Sequence, residues 1–243
     1  MGKYFTVTVK PTMTASLQAA ATMPAGDVLF DWTSLDVPKG ASKLIGITVL
    51  LRGTNGARQE KSFDLHWAKT ISGVAPSSIG TLGATADGTG YQNHLIGATH
   101  INIGDFNDGL DIMAVAASGH GAGVNQIPAI VLEGETYTGT NVGYDKIYVS
   151  GISAGALDFR GTVQVSTETA TNTTAVVVKT TSALINFDKG DVLHDEDDLV
   201  IGTIKTVTDA ENIVLTENCA SVSAVNKDLY NINPITLILS FER

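Results

Sequence analysis

Phe63, Leu65 and Trp67 alternate with Asp64, His66 and Ala68. In an extended chain a residue and its second neighbour share a face, so this period predicts a half-buried strand. Phe5, Val7 and Val9 repeat it against Thr6, Thr8 and Lys10, and Phe159, Val163 and Val165 repeat it against Arg160, Thr162 and Gln164. "SKLIGITVLLR" is apolar on both faces and predicts a central strand. Thr54-Asn55-Gly56 after it is a turn signal that would close a hairpin with the Phe63 strand. "DVLFDW", "LDIMAVA", "IPAIVLE", "KIYVSG" and the terminal "PITLILSFE" bring the main body to roughly eight or nine strands, a number and spacing that predict a two-sheet sandwich.

Between Ile71 and Gly109 the chain is rich in Gly, Ser, Thr and Ala, which predicts a long surface excursion holding one strand at "HLIGATHINI". "TASLQAAATMPAGD" is read as a loop, because its threonines and Pro24 weaken the helical tendency of its alanines. After Val165 the composition shifts to a Thr-rich run, and three short strands follow at "GDVL", "LVIGTIKTV" and "NIVLTE", joined by polar turns. At this size the unit would be a small barrel or meander. Since the last strand returns to core-like apolar density, the unit is an insertion. The expected organisation is a main sandwich from 1–166 plus 229–243 and a small inserted β domain at 167–228.

Composition supports sheets over helices: only 16% of the 243 residues are charged, and Thr, Ser, Gly, Ala and Val are abundant. The 15 basic against 25 acidic residues give a net charge of -10, which argues against a nucleic-acid partner. The start "MGKYFTVTVKPTM" lacks the apolar core of a signal peptide and fits the myristoylation pattern only in part. No run approaches the ~18 apolar residues of a membrane helix, so a soluble chain with no membrane partner is expected. Cys219 is the single cysteine and has no internal disulfide partner.

Gly151-Ile152-Ser153-Ala154-Gly155 matches the G-x-S-x-G pattern of serine hydrolases. That motif needs a strand-to-helix turn, whereas "ALDFRGTVQV" predicts another strand, and the only histidine downstream is His194. "GDFNDGLD" clusters Asp105, Asn107, Asp108 and Asp111 but puts Gly109 and Leu110 at the fifth and sixth positions and Ala116 at the twelfth, against the calcium-loop pattern. The run Asp195-Glu196-Asp197-Asp198 reads as a solvated turn. His66, His94, His100, His120 and His194 have no H-x-x-x-H or H-x-H spacing, and His66 is expected at an exposed or edge position. Gly119-His120-Gly121-Ala122-Gly123 lacks the strand and helix of a phosphate cradle, and Asn172-Thr173-Thr174 is a sequon that matters only in a secretory pathway. No catalytic residue, cofactor site or metal site is therefore assigned.

"DVLFDWTSLDVPKGASKLIGITVLLRGTNGA", "FDLHWAK" and "INPITLILSFER" resemble virion structural proteins of tailed bacteriophages, those of marine cyanobacterial phages in particular. "KGDVLHDEDDLVIGTIKTVTDAENIVLT" is similar to small β modules that recur in phage particle proteins. The resemblance implies a jelly-roll-like β-sandwich with a small β-barrel-like second domain. It also implies a non-enzymatic, virion-located protein on the capsid exterior, of decoration, knob or fibre type. Its implied partners are the major capsid protein or other virion proteins and further copies of itself, a trimer being favoured. A tail, baseplate or fibre component is the alternative, with host glycan binding through Trp32, Trp67, Tyr91 or Tyr137, although Trp67 alternates with core residues. A depolymerase with acids on separate strands and a secreted lectin-like protein are the remaining readings.

Overall fold

A computed structural model of the chain describes residues 3–20, 22–38, 40–53, 58–107, 113–117, 130–161, 163–179 and 183–243. Its first strands are β1 (Tyr4–Val9), β2 (Val28–Asp36), β3 (Ser42–Arg52), β4 (Phe63–Lys69) and β5 (Leu95–Ile101). They are followed by β6 (Phe106–Asn107), β7 (Met113–Ala117), β8 (Ile130–Leu132) and β9 (Lys146–Ser153). Next come β10 (Ala175–Val177), β11 (Val192–Asp195), β12 (Val200–Val207), β13 (Asn212–Leu215), β14 (Leu229–Asn231) and β15 (Ile235–Glu242). Two short helices, α1 (Ala15–Ala20) and α2 (Ala183–Asn186), complete the set.

The protein is an all-β sandwich. One sheet runs β1-β15-β3-β7-β6, with β8 also paired to β3, and the other runs β2-β9-β4-β5; every pairing is antiparallel. Between the sheets lies one core, built from the alternating residues that the sequence pattern marks. Phe63, Leu65 and Trp67 of β4 and Ile235, Leu237, Leu239 and Phe241 of β15 are all essentially inaccessible. Trp67 satisfies its indole by donating Nε1–H to Thr99 Oγ1 at 3.0 Å. β3 is central, as its apolar character predicts, but its outer face is not sealed: Ile45 is 41% exposed.

The third sheet, β10-β13-β12-β11-β14, falls between β9 and β15 in the chain. It has its own hydrophobic core, which includes Val163, Val165, Val176, Phe187, Leu193, Ile204, Ile213, Cys219 and Leu229. Its central meander β11–β12–β13 coincides with the three strands read from the sequence.

Four expectations are corrected. Residues 15–20 are not loop: Thr14 accepts from Leu17 N through Oγ1 at 3.3 Å, Gln18 N donates to Thr14 O at 3.1 Å, and α1 follows. The segment around Phe159, Val163 and Val165 is not a continuous strand. It has isolated bridges from Gln164 to Asp228 and from Val165 to Val178, while Phe159 belongs to the sandwich core and the two valines to the second core. Apolar alternation cannot show that a segment passes from one core to another. His66 is not at an edge, since β4 lies between β9 and β5. The Gly/Ser-rich 71–94 excursion also does more than cover surface. Ile79, Tyr91 and Leu82 pack with Val28, Trp32 and Ile152 on the outer side of β2 and β9, held by Ile79 N donating to Asp31 Oδ1 at 3.1 Å and Trp32 Nε1 donating to Ser77 O at 2.8 Å. The expected hairpin between β3 and the Phe63 strand does not form: β3 pairs with β15, β7 and β8 while β4 pairs with β9 and β5 in the facing sheet, so the connection crosses the sandwich, and its Thr54-Asn55-Gly56 stretch lies outside the described residues.

Candidate functional site

Ser153 ends β9 and is 2% exposed. Its hydroxyl donates to Met23 O at 3.3 Å, accepts from Gly155 N at 3.3 Å and touches Gly155 O. The chain then bends to an isolated bridge between Leu157 and Met23 instead of entering a helix. No histidine is among these partners, and the hydroxyl is spent on closing a turn.

The acidic turn is also internally satisfied. Asp195 is buried and accepts from Asp197 N at 3.1 Å, Leu199 N at 3.0 Å and Ser223 Oγ at 2.9 Å. Lys227 Nζ reaches Glu196 at 2.7 Å and Asp197 at 2.8 Å, and these hydrogen bonds raise its pKa. Asp198 accepts from Ser16 N at 3.0 Å and from Ser16 Oγ, tying this turn to α1. Partial burial pushes the Asp198 carboxyl upward, but the bonds from Ser16 outweigh it and hold the pKa below the ordinary carboxylate value. Asp105 closes a capping box with Asn102, whose N–H it accepts at 2.9 Å. Asp108, Asp111 and the loop holding His120 lie outside the described residues. Among the described residues no group of three or more His, Cys, Asp or Glu is placed to share a metal ion.

The remaining histidines serve the sheet and its loops. His94 Nδ1 lies 2.8 Å from Lys69 O, His194 Nδ1 lies 3.2 Å from Asp198 O, and His100 Nδ1 pairs with Asp64 Oδ1 at 2.6 Å. The last contact crosses β4 and β5, where Asp64 and His100 are register partners, so no spacing within one strand signals it. His66 is half-buried; burial lowers its pKa against the opposing pull of Asp64. Burial likewise raises the Cys219 thiol.

The second lobe is pinned to the sandwich through β3 and α1. Arg52, at the end of β3, donates Nη2–H to Asp191 Oδ2 at 2.7 Å and Nη1–H to Asn186 O at 3.0 Å. Gln18 donates Nε2–H to Met13 O and to Asn231 O, both at 2.9 Å. A small cavity of about 30 Å³ remains at this seam, lined in part by Phe159, Phe187, Leu229 and Tyr230.

Of the four aromatic residues singled out from the sequence, three are taken up by packing. Trp67 is core, Tyr91 is buried, and Trp32 packs edge-on to Tyr91 at a ring distance of 5.4 Å. Tyr137 alone stands out, 63% exposed, with its ring 4.7 Å from that of Tyr144 at an interplanar angle of 50°. Tyr144, which the sequence reading did not single out, lies seven residues away across a loop and carries no periodic signal. The two rings line an open cleft of about 340 Å³ with Glu133, Gly134, Glu135, Thr136 and Gly40. This cleft sits at the end of the sandwich where the β2–β3, β4–β5 and β8–β9 connections meet, since Asp36 and Lys69 both pair with the start of β9.

The cleft brings exposed aromatic and polar groups together on one concave surface. Thr70 Oγ1 and Gly73 N donate to Glu135 Oε2 at 2.8 and 2.7 Å, joining the two loops. Desolvation pushes Glu135 upward, but these bonds prevail and its pKa is lowered. Gly134 passes so close to Tyr144 O that a Cβ would overlap it, which requires glycine there. No protein-family model, curated protein or solved structure matches the chain. Among the described residues no helix is long and apolar enough to cross a membrane.

Proposed function

We propose that this protein is a non-enzymatic structural component of a tailed-bacteriophage virion. It acts on the capsid exterior by self-association, a trimer being favoured, and by docking on the major capsid protein. The observation that carries the reading is the strand order, taken together with the sequence resemblance. Successive strands wrap between sheets so that β1-β15-β3-β7 faces β2-β9-β4-β5, and this order supports a jelly roll. That architecture serves viral capsid domains and also lectins. The 163–231 lobe is a second module that projects from the last connection of the roll. Ser153, the acidic turn and the Asp105 turn all have structural duties, which favours a role carried by interfaces.

Quantitative mass spectrometry of purified particles tests this reading. A copy number on the scale of the capsid lattice, with antibody labelling of intact capsids, is the expected result. A few to tens of copies per particle would move the protein to a tail, vertex or fibre, and absence from particles would overturn the virion reading.

A further inference from the structure

The β8–β9 connection has an unusual composition for a sandwich loop. Residues 134–144 read "GETYTGTNVGY": two tyrosines, three threonines, three glycines and an asparagine, with no lysine or arginine. Tyrosine in such a setting offers a large, stiff contact face at low entropic cost, while small polar residues supply adaptable hydrogen bonding. The loop is also held in shape. Asn141 donates Nδ2–H to Thr136 O at 3.0 Å and accepts from Thr138 N at 3.0 Å, and Glu135 fastens the loop to residues 70 and 73. A surface ordered before binding avoids the ordering cost that weakens mobile loops.

We propose that the cleft between Tyr137 and Tyr144 is a binding site for neutral saccharides. Its volume of about 340 Å³ is within the range of small-ligand sites. A pyranose ring presents an apolar C–H face and a rim of hydroxyls, and the cleft offers the complement of each. The open face of Tyr137 takes the C–H face, and the exposed carboxylate of Glu133 and the hydroxyl of Thr136 take the rim. Charge narrows the ligand further. Among the described residues that line the cleft the charged ones are Glu133 and Glu135, so phosphate, sulfate or sialic acid would meet like charge there. A quaternary ammonium group would be drawn to the carboxylates, but the described cleft presents two rings packed on each other and not a cage around a cation. This inference is independent of the virion reading, because binding is measured on the purified chain whatever particle it belongs to.

An array of neutral gluco-, galacto- and manno-oligosaccharides, with sulfated and sialylated counterparts and choline alongside, is the first screen. The best neutral binder is then titrated against the wild type, Tyr137→Ala and Tyr137→Phe. Alanine is expected to weaken binding at least about tenfold, while phenylalanine, which keeps the stacking face, stays close to wild type. Tyr137 is mostly in solvent, so the melting temperature of each variant should be unchanged. Amide NMR shifts on the wild type provide a check that needs no variant, and they should centre on 133–144. Four results would overturn the proposal: no neutral oligosaccharide bound up to ~10 mM, preference for an anionic glycan or choline, shifts centred elsewhere, or undiminished binding by Tyr137→Ala.

Discussion

Gly151 sits beneath the ring of Phe30, so close that a Cβ would overlap Cε1. The first glycine of the G-x-S-x-G match is therefore a packing requirement of the β2–β9 pair, and Ser153 is a turn-closing hydroxyl. Gly151→Ala should destabilise the fold by about 1–3 kcal/mol through overpacking. Phe30→Leu should recover part of that loss in the same chain, read as a coupling energy in a denaturant double-mutant cycle. Independent losses would show that the ring does not press on residue 151. Ser153→Ala should cost about 1 kcal/mol, the worth of one hydrogen bond. It should leave any hydrolysis of activated esters by the purified protein at the wild-type rate, and a fall in that rate would reopen the hydrolase reading.

At the scale of elements, α1 shows how a short helix survives without strong intrinsic propensity. Six residues are too few to be stable alone in water, so its existence depends on tertiary contacts. Those contacts come from the far end of the sequence: Asp198 receives Ser16 N, and Gln18 bonds Asn231 O. This is why the segment reads as loop from its own residues, whereas β1, β3, β4 and β15 are legible from theirs. The alternation in β1, β4 and β15 records a single buried face and the apolar density of β3 marks a central strand, whereas α1 has its partners 182 and 213 residues away. The cleft was half legible for a similar reason: Tyr137 stands out by composition, but its pairing with Tyr144 is made by the loop geometry.

The Asp198 contact has a pH consequence. Its carboxyl is held below the ordinary value in the folded chain, so its contribution is present above the unfolded pKa, ~3.9, and is lost as pH falls through the lower folded value. The amides of α1 should thus lose hydrogen-exchange protection at acid pH, beyond the intrinsic change in rate. Asp198→Asn should show reduced protection already at neutral pH. Unchanged protection in that variant would mean that Gln18 alone docks the helix.

Across the whole molecule, two hydrophobic cores meet at a seam where apolar side chains pack beside a polar clamp. Asp191 is 7% exposed and pairs with Arg52 at 2.7 Å, while Lys10 adds a weaker attraction. Burial raises the Asp191 pKa even though Arg52 pulls it down. Removing the cation leaves a buried carboxylate whose partner is gone, a change that typically costs about 3–5 kcal/mol. Arg52→Ala should therefore weaken the seam at pH 7, and calorimetry should resolve a second-lobe transition below that of the sandwich where the wild type melts as one unit. A carboxyl with a raised folded pKa favours the folded state most when protonated. The penalty in Arg52→Ala should accordingly shrink as pH falls toward the Asp191 folded pKa and the bare charge is neutralised. A deficit that is the same at pH 7 and near pH 4 would assign the seam to the Arg52–Asn186 hydrogen bond and side-chain packing instead of the ion pair. If the wild type itself melts in two steps, the lobes are energetically separate and the clamp only orients them.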